Sequence, residues 1–300
     1  MPTSISILQE AASRLYPAII TELSSQSTKK YRNDKLSFSD LTAWRNEELP
    51  QKLKSLYDDK KEAYLTKDEL RLLLDWKLAN GKFRPTLPKL IDSNDANDVE
   101  LITKDGLGIL LDFVADKDAS FWKEVDEQDL QNYTTVVKKS LKKLCELRGV
   151  GPATGSLILS LVTKIAPHFT PPFFSDESFL YYVVDSIRPG TKIKYNVKEY
   201  FEELLPVYYG IVSLHPELTF DTLEKGAWSL KSYALLRIDK LINVKLPFET
   251  TEDDLQKFSE ESTGVLKKEP KREPKEVAAI KRKAEAESNP PTKRTKRTTK

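Results

Sequence analysis

Apolar residues along this chain recur mainly at three- and four-residue intervals, the period of helices that bury one face. That spacing predicts helices over Ser4–Leu23, Leu49–Tyr57, Val99–Ala115, Glu127–Leu147, Ala153–Ile165, Asp176–Ser186, Val197–Ser213 and Asp221–Val244. Thr66-Lys67-Asp68-Glu69 has the form of a capping box, in which the threonine hydroxyl and the glutamate satisfy two orphan backbone donors. The helix it opens runs through Leu70, Leu73, Leu74 and Leu78 and stops at Asn80-Gly81, a pair suited to a left-handed exit. Pro17 predicts a kink or a break in the first helix, and Pro50 suits a first helical turn. Pro85 and Pro88, Pro167 to Pro172, and Pro189-Gly190 separate the helical stretches. Lys192–Tyr195 is the one extended candidate and is too short to build a sheet. The expected fold class is all-α, with a helical body over 1–250.

Composition adds an appendage to that body. After about Thr250 the apolar spacing fades; 251–266 reads as a short helix or linker, and 267–300 is Lys, Glu, Pro and Thr with almost nothing to bury. Such a segment is expected to be disordered. The net charge of +2 hides an asymmetry: the last 34 residues hold 13 basic and 5 acidic residues, leaving 35 basic and 41 acidic residues upstream. A body of net charge −6 repels a phosphate backbone unless its cations gather on one face. No apolar run approaches the roughly 18 residues of a membrane span, and the N-terminal residues lack the pattern of a secretory signal. A single cysteine, Cys145, excludes internal disulfides and four-cysteine zinc or iron–sulfur sites. His168 and His215 lie far apart, so neither a metal nor a cofactor is expected.

The tail itself carries an address. Lys281, Arg282 and Lys283, then a Pro-containing spacer, then Lys293, Arg294, Lys296 and Arg297 form two basic clusters with bipartite spacing. An extended peptide of this kind places its charges into two acidic grooves of a nuclear import receptor. The plainer reading is a solvated basic tail that touches acids nonspecifically. Nuclear localisation is the expectation taken forward.

The sharpest local signal lies at Leu144–Ile158. A helix ends near Leu147, Gly149 and Gly151 allow a tight reversal with positive backbone angles, and Pro152 suits the first turn of a second helix. Gly155 lets the two helices approach, while Leu144, Leu147, Val150, Leu157 and Ile158 supply the shared seam. Arg148, Gly149, Val150, Gly151 and Ala153 then surround a helix N-terminus whose amides suit one phosphate oxygen without reading a base. This stretch resembles the helix-hairpin-helix motif, in the version carried by the DNA glycosylase superfamily that includes endonuclease III-like and alkyladenine-type enzymes. The Leu-x-x-Leu-Arg-Gly-Val-Gly frame carries the match, and Pro171-Pro172-Phe173-Phe174-Ser175-Asp176 occupies the place of the loop and aspartate that follow the hairpin in that family. The recognisable part spans about residues 130–188.

The resemblance implies the family's all-α fold, double-stranded DNA as partner and a role in DNA repair. It also implies that Asp176 stabilises positive charge on a sugar as its base leaves, or activates the attacking water. Bifunctional members place a lysine nucleophile where this chain has Ala153, so lyase chemistry at that position is not expected. Two other readings stand beside nuclear DNA binding: an active monofunctional glycosylase using Asp176, and a catalytically inactive member of a nuclear protein complex that keeps the fold. The last predicts a filled pocket and Asp176 spent on capping a helix, because Ser175 followed by an acid also suits a plain helix start. Tyr181-Tyr182, Trp76 and Trp228 read as core, and Gly81-Lys82-Phe83-Arg84-Pro85 as a helix exit with two cations around an aromatic.

Overall fold

The structure is a computed structural model that describes residues 4–81, 84–184 and 192–248. Among the described residues the regular elements are all helical; a bridge between Tyr31 and Leu36 is the only extended pairing. The described residues all belong to one compact unit. The segments 251–266 and 267–300, including both basic clusters, lie outside the described residues. No described helix is long and apolar enough to cross a membrane.

Prolines shape the longest runs. The first helical run passes from α1 (Ser4–Glu10) through a π-helical turn at Ala11–Leu15 into α2 (Tyr16–Ser25). The second passes from α3 (Phe38–Ala43) through a π turn at Trp44–Glu48 into α4 (Leu49–Lys60). In both, the residue just before a proline bonds five residues back: Tyr16 to Ala11 ahead of Pro17, Leu49 to Trp44 ahead of Pro50. Leu205 repeats this with Tyr200 ahead of Pro206, where a π turn at Glu199–Leu204 joins α12 (Leu205–Leu214). A proline has no N–H and its ring crowds the carbonyl four residues back; one extra residue per turn relieves both problems without breaking the helix. Pro50 therefore lies in the first turn of α4, and α4 continues the preceding π turn without a break.

The capping box at Thr66 forms as expected, with both Thr66 and Glu69 bonded to the opposite backbone N–H, and opens α5 (Lys67–Asn80). At its end Gly81 is extended (φ −134°), not left-handed. Next come α6 (Leu87–Asp92), α7 (Ala96–Val114), α8 (Phe121–Glu124), α9 (Glu127–Leu144), α10 (Pro152–Leu159), α11 (Asp176–Tyr182) and, after α12, α13 (Phe220–Leu236). Several helices stop short of the periodicity. The α9 helix ends at Leu144 because the reversal starts there; the stretch after α10 tightens into a 3-10 turn at Val162–Lys164, and α13 ends at Leu236 rather than Val244. Lys192–Tyr195 makes no strand.

Two packing features position the site. An aromatic cluster of Trp122, Tyr133, Phe169, Tyr209 and Phe220 fills the centre, with ring centroids 5.2–6.4 Å apart. Its polar tips satisfy the irregular segment between α10 and α11. Trp122 donates to the His168 carbonyl (2.9 Å), Tyr133 to Phe169 (2.8 Å) and Tyr200 to Pro172 (2.8 Å). A buried loop needs such partners for its carbonyls. The Phe174 amide donates to Ser156 Oγ at 3.0 Å, tying the end of that loop to α10. Asp176 is thus fixed relative to the second helix of the hairpin.

Candidate nucleic-acid interface and the cavity beside it

The reversal between α9 and α10 is built on one left-handed glycine. Gly149 has φ +81°, whereas Gly151 is extended at φ −103°. Only one of the two glycines therefore needs the positive angle. Beneath the turn lies α6: a Cβ on Gly149 would meet Leu90 Cβ at 3.0 Å and Ile91 at 3.3 Å. Asn94, buried just after α6, holds the turn in place. Its Oδ1 accepts from the Arg148 amide (2.8 Å), and its Nδ2 donates to the Arg148 carbonyl (2.9 Å) and the Ile91 carbonyl (2.9 Å). Asn94→Ala strands the two Arg148 backbone groups, at a cost of about 2–4 kcal/mol. Denaturant unfolding of the variant should show that loss; a cost below about 0.5 kcal/mol would mean the turn stands without Asn94.

The amides of Gly149, Gly151 and Ala153 donate no hydrogen bond among the described residues, the state expected of orphan donors at a helix start. Val150 departs from its expected role: its side chain is buried and its amide donates to the Leu147 carbonyl at 3.1 Å. Ala153 is also buried, so its amide is reached through the cavity wall. Arg148 is exposed. Arg148, Lys89 and Arg84, the exposed cations around the turn, make no ion pair among the described residues, while the nearby acids Asp92 and Glu146 are paired with Arg71 and Lys143.

A cavity of about 300 Å³ opens beside the turn. Gly149, Gly151 and Ala153 form one side, Asp176 and Glu177 another, and Phe173, Phe174 and Tyr195 give it aromatic walls. Lys77 and Arg84 complete the lining from α5 and the segment after it. Asp176 is not used as a cap: Ser175 Oγ accepts from the Ser178 amide (3.3 Å) and does that work. Asp176 Oδ2 instead accepts from the Tyr195 hydroxyl at 2.7 Å. That tyrosine sits at φ +55°, an unusual angle for an aromatic residue, and Arg84 lies 5.1 Å over its ring. The loop residues Lys82 and Phe83 lie outside the described residues.

Burial tunes the charges here. Lys77 Nζ donates to Thr154 Oγ1 on α10 at 3.1 Å, and desolvation, opposed by Asp176 and reinforced by Arg84, lowers its amine to about 8. Glu177 is pushed up to about 8 by burial, with Asp176 and Glu224 adding to the rise. Glu224, fully inside and accepting from Ser175 Oγ at 2.6 Å, is raised to about 7 by burial, opposed by the Ser175 bond and Arg45. A carboxyl whose folded pKa exceeds its unfolded value stabilises the fold fully below the unfolded value. That contribution is lost as pH climbs through the folded one. Glu224→Gln should therefore match the native stability at about pH 4 and exceed it by about 1–3 kcal/mol at pH 8, as read by thermal melts across that range. Equal melting at pH 8 would mean that folding does not raise the Glu224 carboxyl.

No protein-family profile matches this chain, and no curated protein or solved structure does. Of the residues singled out in the sequence, Gly149, Gly151, Ala153 and Asp176 line one cavity. Arg148 is pinned by its backbone at the rim, and Val150 is core. Lys281, Arg282, Lys283, Lys293, Arg294, Lys296 and Arg297 lie outside the described residues. Sequence reading passed over Lys77, Asn94, Glu177 and Tyr195. Lys77 had a signal, since it falls seven residues after Leu70 on the buried stripe of α5, where a lysine is out of place. Asn94 had none, because the Arg148 backbone it holds lies 54 residues away.

Proposed function

We propose that this chain is a nuclear DNA-binding protein of the helix-hairpin-helix type, related to the DNA glycosylase superfamily and acting in base excision. The turn at Gly149–Ala153 takes a backbone phosphate of double-stranded DNA, with Arg148, Lys89 and Arg84 adding charge around it. A nucleotide turned out of the stack enters the cavity behind, where Asp176 stabilises positive charge on the sugar as the base departs. The observation that carries this reading is a cavity lined both by the hairpin residues whose amides are unbonded and by Asp176, with Ser175 serving as the helix cap. Ala153 at the second-helix position leaves lyase chemistry out of the scheme there. The basic clusters at Lys281–Lys283 and Lys293–Arg297 serve as the address for a nuclear import receptor.

The inactive alternative, a fold kept for a place in a nuclear complex, draws on the Tyr195 hydroxyl that occupies Asp176. Duplex binding by the full chain, followed across several salt concentrations, tests the phosphate anchor. A screen of duplexes with damaged bases then tests excision, with Asp176→Asn expected to bind as the native chain does and to excise nothing. Hairpin-dependent binding without excision of any base tried would leave the inactive alternative. Binding that resides wholly in the tail would remove the hairpin from the function.

A further inference from the structure

Of the large apolar side chains exposed among the described residues, three fall close together: Leu235, Ile238 and Ile242. Single exposed apolar residues are ordinary on a protein surface; a cluster marks a surface that something covers. Helical bonds continue past the end of α13, from the Arg237 amide to the Tyr233 carbonyl and from the Lys240 amide to the Leu236 carbonyl, both 2.9 Å. Leu235 and Ile238, one turn apart, therefore share a face, and Ile242 follows in the bend beyond it. None of the three is a core residue turned outward by a slip of register, because Tyr233, Leu241 and Val244 already bury the inward positions. Ile238 and Ile242 are 83% and 75% exposed. Lys240 and Lys245 flank them, also exposed and in no ion pair among the described residues.

The path of the chain shows what is at hand to cover this stripe. From Lys240 to Pro247 it runs back along the first helical run. The Lys240 carbonyl accepts from Gln26 (2.7 Å), Asn243 donates to Glu22 (3.4 Å), and the Pro247 carbonyl accepts from Arg14 (3.4 Å). From Gln26 to Arg14 is about 18 Å of helix, so Phe248, the last described residue, ends roughly that far from Lys240. The stretch from Phe248 to Leu255 reaches about 23–25 Å when extended, enough to return to the stripe. The sequence that follows Phe248 suits such a return. Thr251 and Asp254 have the spacing of a capping box, and Leu255 and Phe258 stand three residues apart. Acids predominate around them, at Glu252 to Asp254 and at Glu260 and Glu261. Two apolar residues between acids complement two isoleucines between lysines.

We propose that residues 251–262 of this same chain dock on the stripe at Leu235–Ile242, with Leu255 and Phe258 covering Ile238 and Ile242 and the flanking acids meeting Lys240 and Lys245. No residue of the stripe lines the cavity beside the hairpin, so this surface stands apart from whatever that cavity binds. Covering the stripe in cis withholds it from other copies of the chain.

Amide hydrogen exchange of the full chain, read by mass spectrometry, tests this. Residues 251–262 should exchange about tenfold or more slowly than a free peptide of the same sequence. Ile238→Ser with Ile242→Ser, two changes at exposed positions, should remove that protection and leave exchange within α13 as it was. Leu255→Ser with Phe258→Ser should remove it too, and should also speed exchange at 237–244, which a segment folded on itself alone would not do. A native segment that exchanges like the free peptide would overturn the proposal. So would protection that survives Ile238→Ser with Ile242→Ser, or exchange at 237–244 that ignores Leu255→Ser with Phe258→Ser. A native dimer in sedimentation that the two isoleucine changes convert to monomer would overturn it as well, by assigning the stripe to a second copy of the chain.

Discussion

Gly151→Glu should weaken duplex binding by the full chain roughly 30- to 150-fold, about 2–3 kcal/mol, while leaving thermal stability unchanged. Gly151 is suited to this test because a Cβ there meets nothing within 4 Å and its backbone is extended, a conformation open to any residue. Gly149 is not: its φ of +81° and the 3.0 Å approach to Leu90 mean that a side chain there damages the turn and the contact together. A glutamate at 151 places a negative charge beside the free amides of Gly149 and Ala153, where a phosphate would sit, and repels the backbone directly. Gly151→Ala should change neither property. The salt dependence should also become shallower in Gly151→Glu, with the basic tail supplying what remains. If Gly151→Glu binds as the native chain does, the hairpin amides do not face a phosphate, and the tail accounts for any affinity.

Much of this fold was legible because its signals are local. The Thr66–Glu69 box, the Asn80 stop of α5 and the hairpin at Leu144–Ile158 are written in contiguous residues. The elements that escaped, α3, α6 and α8, are four to six residues long, too short to show two turns of apolar spacing. Pro17 and Pro50 each fall in the first turn of an α-helix, and what single positions could not show is the π turn that precedes both. The site was half legible. The hairpin glycines and Asp176 stood in motif-like strings, but what makes them a site comes from elsewhere in the chain. Asn94 reaches the turn from 54 residues away, Thr154 meets Lys77 across 77, and Tyr195 meets Asp176 across 19 through a segment with no periodicity. Glu177 looked like an ordinary acid in a first helical turn. Burial raises its carboxyl first and Asp176 and Glu224 add to the rise, and no spacing on α11 could reveal that burial.

The same alanine substitution should separate two glycines that a sequence treats alike. Gly155 and Gly226 both lie mid-helix, and in each a Cβ would come within 2.6 Å of a neighbour. What differs is the neighbour. At Gly155 it is Leu141 Cδ1, the tip of a side chain that can turn away, so Gly155→Ala should cost less than about 1 kcal/mol once the gain in helix propensity is counted. At Gly226 it is the Leu8 carbonyl oxygen at 2.5 Å, part of the α1 backbone. That backbone has little room to retreat, since Ile7 and Leu8 are buried and the next turn is the π segment set by Pro17. Gly226→Ala should therefore lose about 3 kcal/mol or more in denaturant unfolding, despite the same propensity gain. The consequence reaches the site, because Glu224 stands two residues before Gly226 and bonds Ser175 beneath Asp176. A shifted α13 would loosen that bond. Gly155→Ala, by contrast, should leave the cavity as it is. The reverse order of costs would mean that the hairpin helices, not α1 and α13, are the tightest contact in the body.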